Sequence, residues 1–177
     1  MVEIKLISPS IEYDEDIMQF RRELIDANDA DSFAGCGSLR ACTTTEEWLM
    51  VLKQWENIET CPKGSVTSNT YLAVRTSDNR IVGVIDLRHH IDHPVLKLWG
   101  GHMGYSVRPS ERGNGYAKKM LYLNLQNCRE RGLDKVMVTC SRTNLVSEKT
   151  IIANGGVFEK EVLVDGEWIK RYWIKLQ

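Results

Sequence analysis

The sequence lacks most of the features that assign a class at a glance. It has no charge excess: 23 basic and 24 acidic side chains leave a formal −1 over 177 residues. That excludes a broadly basic nucleic-acid surface and a disordered polyelectrolyte. No apolar run approaches the ~20 residues of a bilayer-spanning helix. The N-terminal run Met-Val-Glu-Ile-Lys has neither the basic patch nor the apolar stretch of a signal peptide. The five cysteines, Cys36, Cys42, Cys61, Cys128 and Cys140, are odd in number and form no C-x-x-C pair. They predict free thiols in a reducing cytoplasm rather than a disulfide framework or zinc knuckle. Repeats and low-complexity segments are absent. What remains is an ordinary globular composition, 42% hydrophobic, and a length that predicts a single domain over 1–177.

The hydrophobic pattern gives the order β, α, α, β, β, β, α, β, α, β, β. Residues 3–7 read as a strand. Ser10 is a candidate cap for a helix with Ile11, Met18, Leu24 and Ile25 as its apolar stripe. Residues 28–42 read as a loop. Thr44 or Thr45 caps a second helix with Trp48, Leu49, Leu52 and Trp55 on one face. Residues 71–75 and 80–88 read as a hairpin around Ser77-Asp78-Asn79, and 100–107 as a further strand. A helix starts near Gly113–Gly115, with Ala117, Leu121, Leu125 and Cys128 inward and Gly132 as its stop. The strand 135–140, a helix from Asn144 to Asn154 and a hairpin turning at Asp165-Gly166 complete the chain. Strand–helix–strand units imply some parallel pairing and hairpins imply antiparallel pairing, so the class is a mixed-sheet α/β domain.

The strongest chemical signal is Arg112-Gly113-Asn114-Gly115-Tyr116-Ala117 between a strand and a helix. Glycines admit close backbone approach, and free N–H groups at a helix start form an anion site. Arg112 adds a guanidinium suited to phosphate. The run predicts a phosphorylated ligand; glycines serving turn geometry alone are the alternative. It is neither a Walker loop nor the dinucleotide G-x-G-x-x-G, since position 118 is Lys.

The stretch Gly104-Tyr-Ser-Val-Arg-Pro-Ser-Glu-Arg-Gly-Asn-Gly-Tyr-Ala117 resembles the signature of the GNAT superfamily of acyl-CoA-dependent N-acyltransferases, Q/R-x-x-G-x-G/A, through Arg112, Gly115 and Ala117. Asn144-x-x-Ser147 followed by a helix and Gly155 resembles the family's second segment. The run GYSVRPSERG is similar to a bacterial subgroup of acetyltransferases. The resemblance covers residues 65–177 well and the first third by element order. It implies a mostly antiparallel sheet of about seven strands, helices on both faces and a splayed central strand pair. It further implies acetyl-CoA as co-substrate, its pantetheine arm between the splayed strands on backbone of Tyr105 and Val107. The pyrophosphate would sit on the N–H groups from Arg112 through Gly113, Asn114, Gly115 and Tyr116 to Ala117, with Asn144 and Ser147 beside the arm. Helix capping is the alternative for those last two. Residues 1–64 would shape the acceptor site and 65–177 would form the CoA-binding core.

In the family a Tyr seven residues after the Asn often serves as general acid; here that position is Ile151. A thiol leaves readily, so an acid can be dispensable; Cys140 and Tyr172 are possible substitutes. Attack on a thioester needs a neutral amine and hence a base. All four histidines fall between 89 and 102. His102, on the strand that would border the acyl group, is a candidate base, with Asp86 and His89 close by. Packing of His102 in the sheet and a turn or ion-pair role for Asp86 and His89 with Arg88 are the alternatives. Pro94 argues against a metal site of His89, His90 and His93.

Charge is unevenly spread. Residues 1–60 hold 13 acids and 5 bases, whereas 61–177 hold 11 and 18. Arg108, Arg112, Lys118 and Lys119 cluster where phosphates are expected, opposed by Glu111. An acidic N-terminal lobe would attract a cationic acceptor amine, unless Asp14, Glu15, Asp16, Asp26 and Asp29 simply form a solvated face. The expected activity is N-acetyl transfer from acetyl-CoA to a primary amine of a small molecule or peptide. The alternatives are a catalytically weakened CoA-binding or regulatory module and an unrelated phosphate-ligand binder. Neither membrane nor nucleic acid is an expected partner, and a monomer or homodimer is.

Overall fold

The computed structural model describes residues 2–177. It contains seven strands: β1 (Ile4–Ile7), β2 (Ser68–Arg75), β3 (Ile81–Arg88), β4 (Tyr105–Val107), β5 (Lys135–Ser141), β6 (Val157–Val164) and β7 (Glu167–Lys175). Four helices accompany them: α1 (Asp14–Ala27), α2 (Thr45–Glu56), α3 (Tyr116–Glu130) and α4 (Leu145–Ala153). The strands form two sheets, ordered β1-β2-β3-β4 and β5-β7-β6. Every registered pair is antiparallel. The parallel pairing expected from strand–helix–strand units does not form among the described residues: β4 and β5 lie in different sheets, and β7 stands between β5 and β6. The sheets meet where the His102 N–H donates to Met137 O (2.8 Å) and the Met137 N–H donates to His102 Nδ1 (2.9 Å). Beyond that point β4 and β5 are not paired, as the splayed central pair requires.

Local chemistry places the helices largely as the sequence indicates. Ser10 Oγ accepts from the Glu12 N–H, so it caps a single helical turn (Ile11–Tyr13) that leads into α1. The buried face of α1 is Ile17, Phe20 and Leu24; Ile11 and Ile25, expected in the stripe, are exposed. Thr44 Oγ1 caps α2 through the Glu47 N–H, and the Glu47 carboxylate returns to the Thr43 N–H. A short helical turn, Leu96–Gly100, precedes β4. No helix among the described residues is long and apolar enough to cross a membrane, and all five cysteines are unpaired.

Two apolar clusters lie on opposite faces of the β2–β3 pair. One joins Ala73, Val82, Ile85 and Leu87 to α3, β5, β7 and Ile151 of α4. The other joins Leu72, Val74, Ile81 and Val84 to α1 and α2. The second includes Phe33, Cys36, Leu39 and Cys42, so the 28–42 loop is a packed part of the core. It lies directly on β4: a Cβ at Gly35 would be 2.1 Å from Gly104 O, and Ser106 Oγ donates to Ala34 O (2.7 Å). Only two side-chain-free residues permit that approach.

Arg108, expected among the phosphate-binding cations, is instead fully buried. Its guanidinium donates to Asp16 Oδ1 (2.7 Å), Glu23 Oε1 (3.0 Å) and Ile81 O (2.7 Å). It ties the end of β4 to α1, and two acids of the N-terminal segment serve this internal charge. Removing one partner of a buried pair leaves an uncompensated ion. Asp16→Ala is therefore expected to cost about 3 kcal/mol in urea unfolding, the low end for such pairs because Asp16 keeps some exposure.

Candidate active site

Two cavities flank the contact between the 28–42 loop and β4. The first, of about 650 Å³, is lined by Asp29–Ser32, Tyr105–Val107, the turn before α3 and the start of α4. Of the ten residues expected to hold the cofactor, Tyr105, Val107, Arg112, Gly113, Gly115, Tyr116, Ala117, Asn144 and Ser147 line it. Asn114 does not; its amide donates to Glu111 O (2.9 Å) and braces the turn.

The turn is built for an anion. The N–H groups of residues 113–118 have no hydrogen-bond partner among the described residues, and α3 has no side-chain cap at Gly115. Gly113 and Gly115 have φ of +81° and +79°, and a Cβ at either would enter open space. Six consecutive donors at a helix start, with the helix dipole behind them, fit a pyrophosphate. Of the expected cations, Arg112 and Lys118 line this cavity, whereas Lys119 lies over the Tyr122 ring. Glu111 is held by Arg75 (2.7 Å), which also donates to Tyr116 Oη, so its charge is already answered.

The loop reaches across the cavity. Arg112 Nη1 donates to Asp29 Oδ2 (2.5 Å), and Asn144 Nδ2 donates to Asp31 Oδ2 (2.8 Å). Asn144 also caps α4, its Oδ1 accepting from the Ser147 N–H (3.1 Å). Tyr105 Oη lies 2.7 Å from Ser147 Oγ, and burial pushes the Tyr105 phenol up to about 12. No local sequence signal marks this hydroxyl pair, whose members are 42 residues apart.

The second cavity, of about 580 Å³, lies under α2. Its walls include Phe33, Val51, Leu52, Trp55, Val66 and Leu96, and its polar groups include Ser68, Thr70, Asp86, Arg88 and His93. Asp86 is buried; its Oδ1 accepts from the Gly104 N–H (2.6 Å). Burial pushes its carboxyl up, opposed by Arg88 and that N–H. No acid of residues 1–60 lines this cavity.

The candidate bases separate. Asn69 Oδ1 can only accept, so His89 Nε2 donates to it (2.6 Å) and Nδ1 receives the Thr67 hydroxyl (2.8 Å). His102 Nδ1 is taken by the Met137 N–H. Burial, then Arg88, lowers His102 to about 4, and burial, then Arg131, lowers His89 to about 4. Both rings are neutral with their lone pairs engaged; neither lines either cavity. Of the three candidates only Asp86 faces a cavity. Ile151 is fully buried in the core. Tyr172 donates to Glu148 (2.5 Å) and Cys140 is buried; neither lines either cavity.

The model of the acetyltransferase (GNAT) domain matches residues 14–157. The chain belongs to this family. No curated protein matches it. Among solved structures it is similar to a ribosomal-protein alpha-N-acetyltransferase in complex with coenzyme A (16% identity, TM-score 0.66, 98% of this chain and 94% of that one). It is also similar to a microcin self-immunity acetyltransferase in complex with acetyl-CoA and AMP (16%, 0.67, 98% and 92%). A third is a spermidine N-acetyltransferase chimera that includes the Vibrio cholerae enzyme (13%, 0.65, 98% and 95%). At these identities the structures establish the fold.

Two substitutions test the first cavity. Gly115→Asp places a carboxylate in the donor cradle and is expected to weaken CoA binding ~100-fold in calorimetry, the scale of one or two charge-assisted bonds. Asp29→Asn frees Arg112 from a half-exposed pair worth 0.2–1 kcal/mol and is expected to tighten CoA about 2–5-fold.

Proposed function

We propose that the chain is an N-acetyltransferase that moves an acetyl group from acetyl-CoA directly to a primary amine held in the cavity under α2. The observation that carries this reading is the run of six unpartnered N–H groups at the start of α3, one loop's thickness from a buried carboxylate in an apolar pocket. Residues 113–118 with Arg112 would hold the pyrophosphate, and Tyr105, Val107, Asn144 and Ser147 the pantetheine arm. Acetyl-CoA supplies an acyl group activated as a thioester, whose thiol leaves with a pKa near that of cysteine. Asp86 is the base: it takes a proton from the acceptor ammonium and leaves a nitrogen lone pair. The Tyr105–Ser147 hydroxyl pair offers a proton on the cofactor side, in place of the acid missing at Ile151.

Asp86→Asn is expected to lower kcat/KM about 10²–10³-fold with unchanged CoA affinity. Below its raised pKa the Asp86 carboxyl is protonated and cannot accept. The wild-type rate is thus expected to fall as pH drops through a value above the ordinary carboxylate range. His102, neutral down to about pH 4, adds no limb near 6.5. A limb near 6.5 that disappears in His102→Gln would transfer the role to His102. The buried Ile151 supports one second reading, a CoA-binding module without chemistry; CoA binding with no thiol release for any amine would establish it.

A further inference from the structure

The cavity under α2 contains one unusual pair of groups on its floor. Asp86 and Arg88 are two residues apart on β3, so they face the same side, next to Thr70 and Ser68 of β2. Arg88 Nη1 donates to Gly100 O (2.9 Å) and Gly101 O (3.1 Å), which fixes the guanidinium plane. Its Nη2 lies 3.4 Å from Asp86 Oδ2. Among the described residues, Nε and Nη2 of Arg88 make no hydrogen bond, and neither is sealed from solvent. The floor therefore offers a preorganised cation ion-paired at 3.4 Å with an anion whose second oxygen takes no hydrogen bond among the described residues, and the cation keeps donors to spare.

The remaining charge in this cavity points the same way. Asp86 is its only acid, and the other ionisable group, His93, spends Nδ1 on the Val95 N–H. A polyamine's second cation would meet Arg88 with no carboxylate to receive it. A peptide's amide carbonyl would accept a bond from Arg88, as Gly100 and Gly101 do, but would bring no negative charge to it. A molecule with an ammonium and a carboxylate on one carbon presents opposite charges at the short spacing of Asp86 and Arg88. Val51, Trp55, Val66 and Leu96 supply an apolar wall above that floor.

We infer that the acceptor is a free α-amino acid with an apolar or aromatic side chain, its amine directed to Asp86 and its carboxylate held by Arg88. This rests on the acetyltransferase reading above and names its substrate class. Arg88 is then the residue that sets specificity, since a site built to bond a polar group strongly disfavours the analogue that lacks it.

The test pairs each amino acid with its decarboxylated twin: tryptophan with tryptamine, phenylalanine with phenethylamine, leucine with isoamylamine. Spermidine and phenylalanine amide complete the set. Thiol release and mass spectrometry of the N-acetyl product are measured on the full chain with acetyl-CoA. The expected result is kcat/KM for the amino acids ~100-fold above their twins. In Arg88→Met the ratio of amino-acid to twin kcat/KM is expected to collapse to within a few-fold, because the loss from removing the charge beside Asp86 falls on both substrates and cancels in the ratio. Arg88→Lys is expected to restore part of the preference. Twins, spermidine or the amide turning over as well as the amino acids in the wild type would overturn the inference while leaving the acetyltransferase reading intact. That comparison stands even if the Arg88 variants fail to fold. If no amine releases thiol, the acetyltransferase reading falls, and calorimetric titration of the same pairs decides the pocket alone. Selective binding of the amino acid supports the inference; equal or absent binding overturns it.

Discussion

The structure depends on a junction two residues wide. At His102 and Met137 the two sheets share a pair of hydrogen bonds, one from backbone to backbone and one from backbone to an imidazole lone pair. Past it β4 and β5 are unpaired, and Tyr105–Val107 of β4 line the first cavity. A ring at this position does what a further rung of ladder could not: it joins the sheets at one point and leaves them apart beyond it. The glycine beside it allows the closeness, because a Cβ at Gly101 would sit 2.6 Å from Met137 O. The same demand makes the ring neutral, since a proton on Nδ1 would break the bond it accepts.

Gly104 extends this economy. In a regular antiparallel pair its N–H would meet the Asp86 carbonyl. It goes instead to the Asp86 carboxylate, and that carbonyl receives the Asn124 amide from α3. One displaced bond thus shortens β4 to Tyr105–Val107 and fixes a buried carboxylate at the mouth of the splay. Structural and chemical roles converge on one residue because a buried carboxylate needs a donor and a distorted strand has one to spare.

Most elements and the glycine turn before α3 were legible in the sequence, because both rest on local signals. Gly113 and Gly115 before an apolar period, Asn144 three residues ahead of Ser147, and Asp165-Gly166 between alternating strands each act within a few residues. The misreadings share the opposite property. Arg108 finds Asp16 at a separation of 92 residues, so nothing nearby distinguished it from Arg112. His102 looked like a base by type and place, while its true partner lies on β5. The packed loop left a trace that helical and strand periods do not cover. Phe33, Cys36, Leu39 and Cys42 recur every third residue, matching the run of three-residue turns from Asp29 to Ala41. The charge asymmetry was real, but Asp16, Glu23, Asp29 and Asp31 answer groups of this same chain.

That loop is a wall common to both cavities. Residues 29–32 border the first cavity and residues 33–35 border the pocket under α2, with Gly35 resting on Gly104 between them. A substitution in this stretch is therefore constrained twice over: an alteration that reshapes one cavity is also felt in the other. Val51, Leu52 and Trp55 on α2 border only the second cavity. Substitutions on that helix can therefore reshape the second cavity without touching the first.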